Sequence, residues 1–195
     1  MFRFKGINHL ALVTPDMDAT IRFWRDLMGM KLVGGHGDDR FKQYLFEICP
    51  GSLISFHWWP GAEPIEEKDA GRVFEGKIAF DHVALEVEDE DQLWEIKDRL
   101  EAADEWVSEV IDSGFIHSIF TFDPNNIAVE LCYAVEEVGE LRMADRSPTA
   151  GALEGPSPRP EQWPKVDRPT PEHERRIYEG DLKQVVLGDD AWRSE

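Results

Sequence analysis

The sequence repeats itself at an interval of 73 residues, and this repeat constrains the fold more strongly than any other feature. Residues 7–12 (Ile-Asn-His-Leu-Ala-Leu) match residues 80–85 (Phe-Asp-His-Val-Ala-Leu), so that His9 and His82 occupy equivalent positions. The same interval aligns Asp16 with Asp89. These matches indicate two copies of one supersecondary unit, which must pack together to bury a core.

Each copy contains the same order of predicted elements. An apolar strand comes first, and it is followed by aspartates that suit the first turn of a helix. Apolar residues then recur at helical spacing, as in Phe23, Leu27 and Met30. Three strand-like runs complete each copy, near 30–34, 41–49 and 52–59 in the first and near 106–112, 115–122 and 127–133 in the second. The pattern predicts an α+β fold of two βαβββ modules.

The chain has 195 residues, and the two modules do not use all of them. We predict a folded unit over 1–134, with module 1 at about 5–60 and module 2 at about 78–134. The remaining residues, 135–195, form an acidic extension that holds seven of the 12 prolines. Such a composition is typical of a solvated tail, but the apolar residues in it favour an arm that wraps the folded unit or a partner.

Charge and composition exclude several classes of partner. The formal net charge is −19, and so acidic a chain is repelled by phosphate backbones and by anionic lipid surfaces. No apolar run approaches the length of about 20 residues that a membrane span needs. The cysteines, Cys49 and Cys132, are predicted to be buried thiols of a reducing compartment. We therefore expect a cytoplasmic protein that binds a small molecule, and neither nucleic acid nor a membrane.

Strand alternation directs several metal-binding residue types to one face. His9 lies on the same face of its strand as Ile7 and Ala11, and Glu130 alternates with the apolar residues of the last strand. A carboxylate in such apolar surroundings needs a cation, hydrogen-bond donors or a proton. The interval of 73 also aligns His57 with Glu130. If the halves pair about a pseudo-twofold axis, all of these side chains point into one cup.

Two histidines and one carboxylate suit a divalent transition metal such as Fe(II), Mn, Co, Ni or Zn. A histidine in a strand is usually a hydrogen-bonded core residue, but the equivalence of His9 and His82 favours metal ligands. His57 could be a fourth ligand, an acid/base group or a residue at the open end of its strand. We predict a loop position for His36 and a solvated one for His173. No phosphate-binding glycine loop or serine nucleophile elbow is present.

These features resemble the vicinal oxygen chelate superfamily, which includes glyoxalase I, methylmalonyl-CoA epimerase, extradiol dioxygenases, and proteins of fosfomycin and bleomycin resistance. The resemblance rests on the repeated βαβββ pattern, on the two strand histidines, and on residues 123–130 (Asp-Pro-Asn-Asn-Ile-Ala-Val-Glu). It implies a cup-shaped mixed sheet, a bound divalent metal and a homodimer. The cup could close within one chain or by exchange of modules between two chains.

The resemblance also implies candidate reactions. Extradiol dioxygenases bind Fe(II) through residues at the positions of His9, His82 and Glu130, and an oxygenase acting on a small, vicinally oxygenated aromatic is our leading hypothesis. The tyrosine expected in such enzymes is Phe120 here, which leaves His57 and His117 as the candidates for proton transfer.

The alternatives are a lyase or isomerase and a non-catalytic binding protein. Glyoxalase and epimerase relatives use a fourth ligand at the place that His57 takes here, or Ser55 if the strand is slipped. With Zn, Ni, Co or Mn bound, Glu130 or His57 would then act as the base. Bleomycin-binding relatives bind small molecules without a metal.

Overall fold

A computed structural model describes residues 6–73, 75–76, 80–135, 147–162, 164, 166–178 and 185–186. The chain forms two sheets, each from one of the predicted modules. The first module contains β1 (His9–Thr14), α1 (Met17–Ile21, continued by a π-helical segment, Arg22–Leu27), β2 (Lys31–Asp38), β3 (Phe41–Cys49) and β4 (Ser52–Trp58). The second contains β5 (Val83–Glu86), α2 (Glu90–Ala102), β6 (Ile111–Asp112), β7 (Ile116–Phe122) and β8 (Ala128–Ala134). The extension contributes α3 (Ala150–Leu153) and β9 (Val185–Val186).

The strand order is the same in the two modules. The first sheet has the order β1-β4-β3-β2-β9, and the second has the order β5-β8-β7-β6. In each sheet the first strand pairs in parallel with the last strand of its module, and the hairpin strands are antiparallel. The α+β fold of two βαβββ modules is therefore confirmed.

Both major helices begin at the aspartates that the repeat aligns. The side chain of Asp16 accepts a hydrogen bond from the amide of Ala19 at 2.9 Å, and that of Asp89 accepts one from Gln92 at 2.9 Å. An N-cap of this kind satisfies one of the amides that the first helical turn leaves without a partner. The two modules therefore begin their helices by the same local chemistry.

One hydrophobic core joins the two modules on the helix-facing sides of the sheets. Trp24, Phe46 and Phe56 of module 1 are fully buried, and so are Leu93 and Ile119 of module 2. All five belong to a single cluster of buried side chains. Because each sheet buries its helix-facing side, its opposite side remains to form a cup.

A buried polar network also connects the modules. The indole Nε1–H of Trp24 donates to Oδ2 of Asp123 at 3.2 Å, and Nδ2 of Asn125 donates to the hydroxyl of Thr20 at 3.4 Å. Asp123 also accepts hydrogen bonds from the amides of Asn125 and Ile127 at 2.8 and 3.0 Å. Burial raises the pKa of Asp123, although these donors oppose the change. We call Trp24, Asp123, Asn125 and Thr20 the module joint.

Two predictions about individual residues were wrong. His36 lies within β2 and not in a loop, and its partner in the register is Gln43 of β3. Cys49 is exposed rather than buried, whereas Cys132 is buried as expected. His173 is exposed, as predicted.

Among the residues that the structure describes, the extension pairs with the first sheet at β9. The two residues of β9 pair with Gly34 and Gly35 of β2 in antiparallel orientation. Tyr178, by contrast, remains 85% exposed. Among the described residues, no helix is long and apolar enough to cross a membrane.

Candidate functional site

His82 and Glu130 lie together on the cup side of the second sheet. The parallel register pairs Ala84 with Glu130, which places His82, just before β5, on the same face. His82 Nε2 lies 2.9 Å from Glu130 Oε2. Glu130 is only 6% exposed, so its carboxylate is the buried acid that strand alternation predicts. Burial of a carboxylate is costly without a cation or donor, and an imidazole provides such a donor only when it carries the proton.

Each of the two repeated histidines has its other ring nitrogen held by the preceding residue. Nδ1 of His9 lies 2.8 Å from Oδ1 of Asn8, and Nδ1 of His82 lies 2.7 Å from Oδ2 of Asp81. A partner at Nδ1 fixes the ring and leaves Nε2 as the atom that could bind a metal, an arrangement that is usual for metal-ligating histidines. Asn8 and Asp81 were not among the predicted site residues, although their equivalent places before the histidines of the two repeats were the signal that could have revealed them.

Asp81 is itself clamped by the segment that links the modules. Its carboxylate accepts hydrogen bonds from the ammonium group of Lys68 and, at 2.8 Å, from the amide of Gly71. Gly71 has a φ of +65°, a backbone conformation that favours glycine. Together with His82, these donors hold the pKa of the Asp81 carboxyl well below its usual range, with Lys68 the largest cause. The linker therefore fixes the orientation of the His82 ring.

His9 lies on β1, which is an edge strand of its sheet, and β5 is likewise an edge strand. Cup-side residues of both edges are exposed: Ala11 and Val13 on β1, and Ala84 on β5. Within the described part of a single chain, no three His, Cys, Asp or Glu side chains lie close enough together to hold a metal ion. A single chain thus brings His82 to Glu130 but does not bring His9 to that pair.

The register of β4 differs from the predicted alignment. Ala11 pairs with Ser55, and its counterpart Ala84 pairs with Glu130. Ser55, 75 residues before Glu130, is therefore its structural equivalent, and His57 lies two residues further along the strand. The slipped alternative is the one that the register supports. The first sheet consequently presents a hydroxyl where the second presents a carboxylate.

His57 belongs to an aromatic group on the cup side of the first sheet. Its ring lies 5.5 Å from that of Phe41 and stacks on Trp59 at 6.2 Å, while His36 lies 5.4 Å from Phe41 on the other side. Burial lowers the pKa of His57, and the charges of His36 and His9 lower it further. Neither ring nitrogen of His36 has a hydrogen-bond partner among the described residues. His57 is therefore biased toward the neutral imidazole that can accept a proton.

His117 and Phe120 lie on opposite faces of β7. Phe120 pairs with Glu130 and contacts His82 edge-on at 6.0 Å between ring centroids. His117 points to the helix side, where its Nδ1 lies 2.6 Å from the Tyr133 hydroxyl. The structure therefore does not bring His117 to Glu130, and Phe120 puts an apolar ring beside His82.

The donor set fits a divalent metal. Glu130 supplies a buried anionic oxygen, and His82 supplies an adjacent imidazole nitrogen. His9, whose Nδ1 is likewise held by the preceding residue, lies on the edge of the other module. Nitrogen and carboxylate donors in this combination are those that Fe(II), Mn and Zn accept.

The sequence matches the family model of the Glyoxalase/Bleomycin resistance protein/Dioxygenase superfamily over residues 6–131. No match was found among curated protein sequences.

Several solved structures share the fold. A glyoxylase/bleomycin resistance protein/dioxygenase domain from Frankia sp. EAN1pec has a TM-score of 0.58 and 19% identity, covering 68% of this chain and 99% of its own. A point mutant of the fosfomycin resistance protein FosX from Listeria monocytogenes, in complex with Mn(II) and 1S,2S-dihydroxypropylphosphonic acid, has a TM-score of 0.53 and 18% identity, covering 71% and 98%. The trypanothione-dependent glyoxalase I of Leishmania major has a TM-score of 0.50 and 20% identity, covering 67% and 87%.

Proposed function

The chain belongs to the Glyoxalase/Bleomycin resistance protein/Dioxygenase superfamily, and on that premise we propose that it is a metal-dependent enzyme whose ligands are His9, His82 and Glu130. The observation that carries this proposal is the contact of 2.9 Å between His82 and the buried carboxylate of Glu130. The FosX relative, which is complexed with Mn(II), supports a metal in this fold. The substrate is a small molecule with two neighbouring oxygen atoms.

We propose that the site is completed by exchange of modules in a homodimer. The exposed edge strands β1 and β5 support this arrangement, because each carries one of the two histidines and has an unpaired edge among the described residues. A twofold dimer that sets β1 of one chain beside β5 of its partner supplies His9 of one protomer to His82 and Glu130 of the other. Such a dimer also covers exposed apolar side chains, including that of Val13.

Mixing two inactive variants tests this arrangement. We expect His9→Ala and Glu130→Gln each to lose metal binding. In a dimer that mixes the two variants, one of the two sites regains all three ligands, so random mixing restores about one quarter of the wild-type metal capacity. No recovery after unfolding and refolding the mixture together would contradict the exchange of modules. A control mixes His82→Ala with Glu130→Gln. One protomer supplies both of these ligands to a site, so every site in the mixed dimer lacks one of them, and recovery in this control would also contradict the exchange of modules.

Our leading reaction is the extradiol-type oxygenation of a vicinally oxygenated aromatic with Fe(II) bound. A bound metal of this kind supplies Lewis-acid activation, which lowers the pKa of a coordinated hydroxyl. Asp81 orients His82, and Phe120 shields one side of that ring from water. His57 accepts a substrate proton, because its lowered pKa keeps the imidazole neutral.

A lyase or isomerase is the second candidate, and Phe120 is the observation that favours it. A phenylalanine provides no phenolic hydrogen bond next to the site, so oxygen chemistry lacks one expected donor. In this case Glu130 or His57 would move a proton next to a chelated carbonyl, with Mn, Zn, Ni or Co bound. Ser55 is the structural equivalent of Glu130 in module 1, so the first sheet offers no second carboxylate that could act as the base.

Metal analysis of protein purified without oxygen distinguishes the candidates. Stoichiometric iron together with catechol-dependent oxygen uptake would support the oxygenase. Stoichiometric Zn, Mn or Ni without oxygen uptake would refute the oxygenase and favour the lyase or isomerase. If the protein took up no metal and His9→Ala left small-molecule affinity intact, a non-catalytic binding protein would replace both.

A further inference from the structure

A cavity of about 170 Å³ lies on the cup side of the second sheet, where it is lined by Phe120, the cross-strand neighbour of Glu130. Phe120, Phe122 and Ala128 form its floor. Ala128 lies two residues before Glu130 on β8, and Phe120 pairs with Glu130 across the sheet. Glu130 itself does not line the cavity, but the ring of Phe120 borders both the cavity and the ring of His82.

One wall of the cavity is aromatic. The ring of Trp106 lies 5.4 Å from that of Phe122, with an angle of 39° between the planes. The hydroxyl groups beside this wall already make hydrogen bonds within the protein. The Ser108 hydroxyl accepts one from the amide of Phe120 at 2.9 Å, and the Thr121 hydroxyl donates one to the carbonyl of Trp106 at 2.7 Å. Aromatic faces with few remaining polar groups favour a planar apolar body in the ligand.

One cation lies at the mouth of this cavity. Arg72 lines it, and among the described residues its guanidinium makes no hydrogen bond or ion pair. The neighbouring cation of the linker, Lys68, is already engaged with Asp81. In a chain with a net charge of −19, an arginine that has no side-chain partner among the described residues and lies beside an aromatic cavity is a specific local attraction for an anion.

The linker fixes the backbone next to Arg72. The amide of Gly71 donates to Asp81 at 2.8 Å, so the residue before Arg72 is tied to the same carboxylate that orients His82. Asp69 lines the cavity too and opposes an anionic ligand. A guanidinium presents a planar fork of donors that matches a carboxylate or a phosphonate.

We propose that Arg72 anchors the anionic group of the substrate, and that the substrate is a small organic acid with a flat apolar body. This inference rests on the proposed function for the identity of the reacting end, which lies at the Phe120 side of the cavity, toward the proposed metal ligands. The anchor itself requires no metal, so the two proposals can fail separately. Arg72 is then a residue that determines specificity.

Binding to the metal-free full-length protein tests the anchor, with the Trp106 indole signal in NMR titrations as the reporter. Benzoate and benzyl alcohol share a ring and differ in charge, and phenylphosphonate shows which anion is preferred. We expect wild-type protein to bind either anion more tightly than benzyl alcohol. Arg72→Ala should weaken benzoate binding by about tenfold to a hundredfold, the range for a charge-assisted hydrogen bond, and leave benzyl alcohol binding unchanged.

Matched variants complete the experiment. Arg22→Ala removes the same charge from an exposed position that does not line this cavity, and it should leave benzoate affinity unchanged. Asp69→Asn should strengthen benzoate binding, because it removes the opposing carboxylate. Equal affinity of the wild type for benzoate and benzyl alcohol, absence of benzoate binding, or an unchanged preference in Arg72→Ala would overturn the anchor. If His9→Ala lost metal binding but still preferred benzoate to benzyl alcohol, this result would support the anchor independently of the metal site.

Discussion

Replacing Asp81 by alanine is the most direct test of how the chain prepares its metal ligands. Asp81 lies 2.7 Å from His82 Nδ1 and is held in place by Lys68 and by the amide of Gly71. The substitution leaves all three proposed ligands intact. It removes only the carboxylate that orients one of them, so any change in metal affinity reports on that orientation.

The expected loss follows from the chemistry of the contact. Removal of a partner that holds a ligating histidine costs about tenfold to a hundredfold in metal affinity, which corresponds to about 1.4–2.7 kcal/mol. The Lys68 side chain, only 14% exposed, loses its carboxylate partner and keeps only the carbonyl of Asp69. Its positive charge is then uncompensated near the site, so we expect the upper part of this range. Asn8→Ala removes a neutral amide from His9 and should cost less, because hydrogen bonds between neutral groups are about half as strong as charge-assisted ones.

Calorimetric titration with Mn(II) or Zn(II) measures these affinities, and a thermal melt of each variant checks that it is folded. Asp98→Ala, which removes an exposed aspartate on α2, is the matched control and should bind metal like the wild type. If Asp81→Ala bound metal as tightly as Asp98→Ala, the orienting role of Asp81 would be refuted. A larger loss in Asn8→Ala than in Asp81→Ala would refute the argument from charge.

Three further changes test the core, the module joint and the cup. Phe46→Ala empties a fully buried site and should lower the free energy of unfolding by about 3–5 kcal/mol in urea titrations, whereas a loss below about 1 kcal/mol would mean that the site collapses. Trp24→Phe removes the donor to Asp123 and should cost about 1.5–3 kcal/mol in the same assay, and an unchanged midpoint would show that the hydrogen bond contributes nothing. Because burial lowers the pKa of His57 in the folded state, the unfolded state takes up the proton more readily, and stability should fall as the pH drops through about 6.5. His57→Gln should flatten this dependence in thermal melts, and an unaltered pH profile would assign the loss of stability to other groups.

Much of the fold could be predicted because its signals are local and repeated. The N-cap aspartates, Asp16 and Asp89, recur at the interval of the strand histidines, and strand alternation alone identified Glu130 as a buried carboxylate. Such signals depend only on residues near one another in the chain. Each module carries the same signals, so the second copy supports the prediction made from the first.

The pairing register could not be predicted by the same means. Alternation determines which face a residue occupies, but a shift of two residues preserves the face and changes the partner. The alignment of Glu130 with His57 rather than Ser55 was an error of this kind. In β2, the glycines around His36 suggested a loop, whereas Gly35 is needed there because a Cβ at that position would overlap the ring of Tyr44.

Contacts made by the linker were likewise invisible in the sequence. Lys68, Gly71 and Arg72 belong to no periodic pattern, and their roles depend on the position of Asp81 and of the cavity in space. Long-range contacts of irregular segments leave no local signature, which is why Asp81 was not recognised as the residue that orients His82.

The module joint also determines how the chain should unfold. Asp123 receives the Trp24 indole from module 1 and shortly precedes the strand that carries Glu130. A ligand that stabilises Glu130 therefore stabilises a strand that is tied to the helix of the other module, and the two modules should melt in one cooperative transition. Metal at a concentration about one hundred times its dissociation constant stabilises the folded state by about 2.7 kcal/mol, and this gain belongs to the entire two-module unit rather than to the half that holds Glu130.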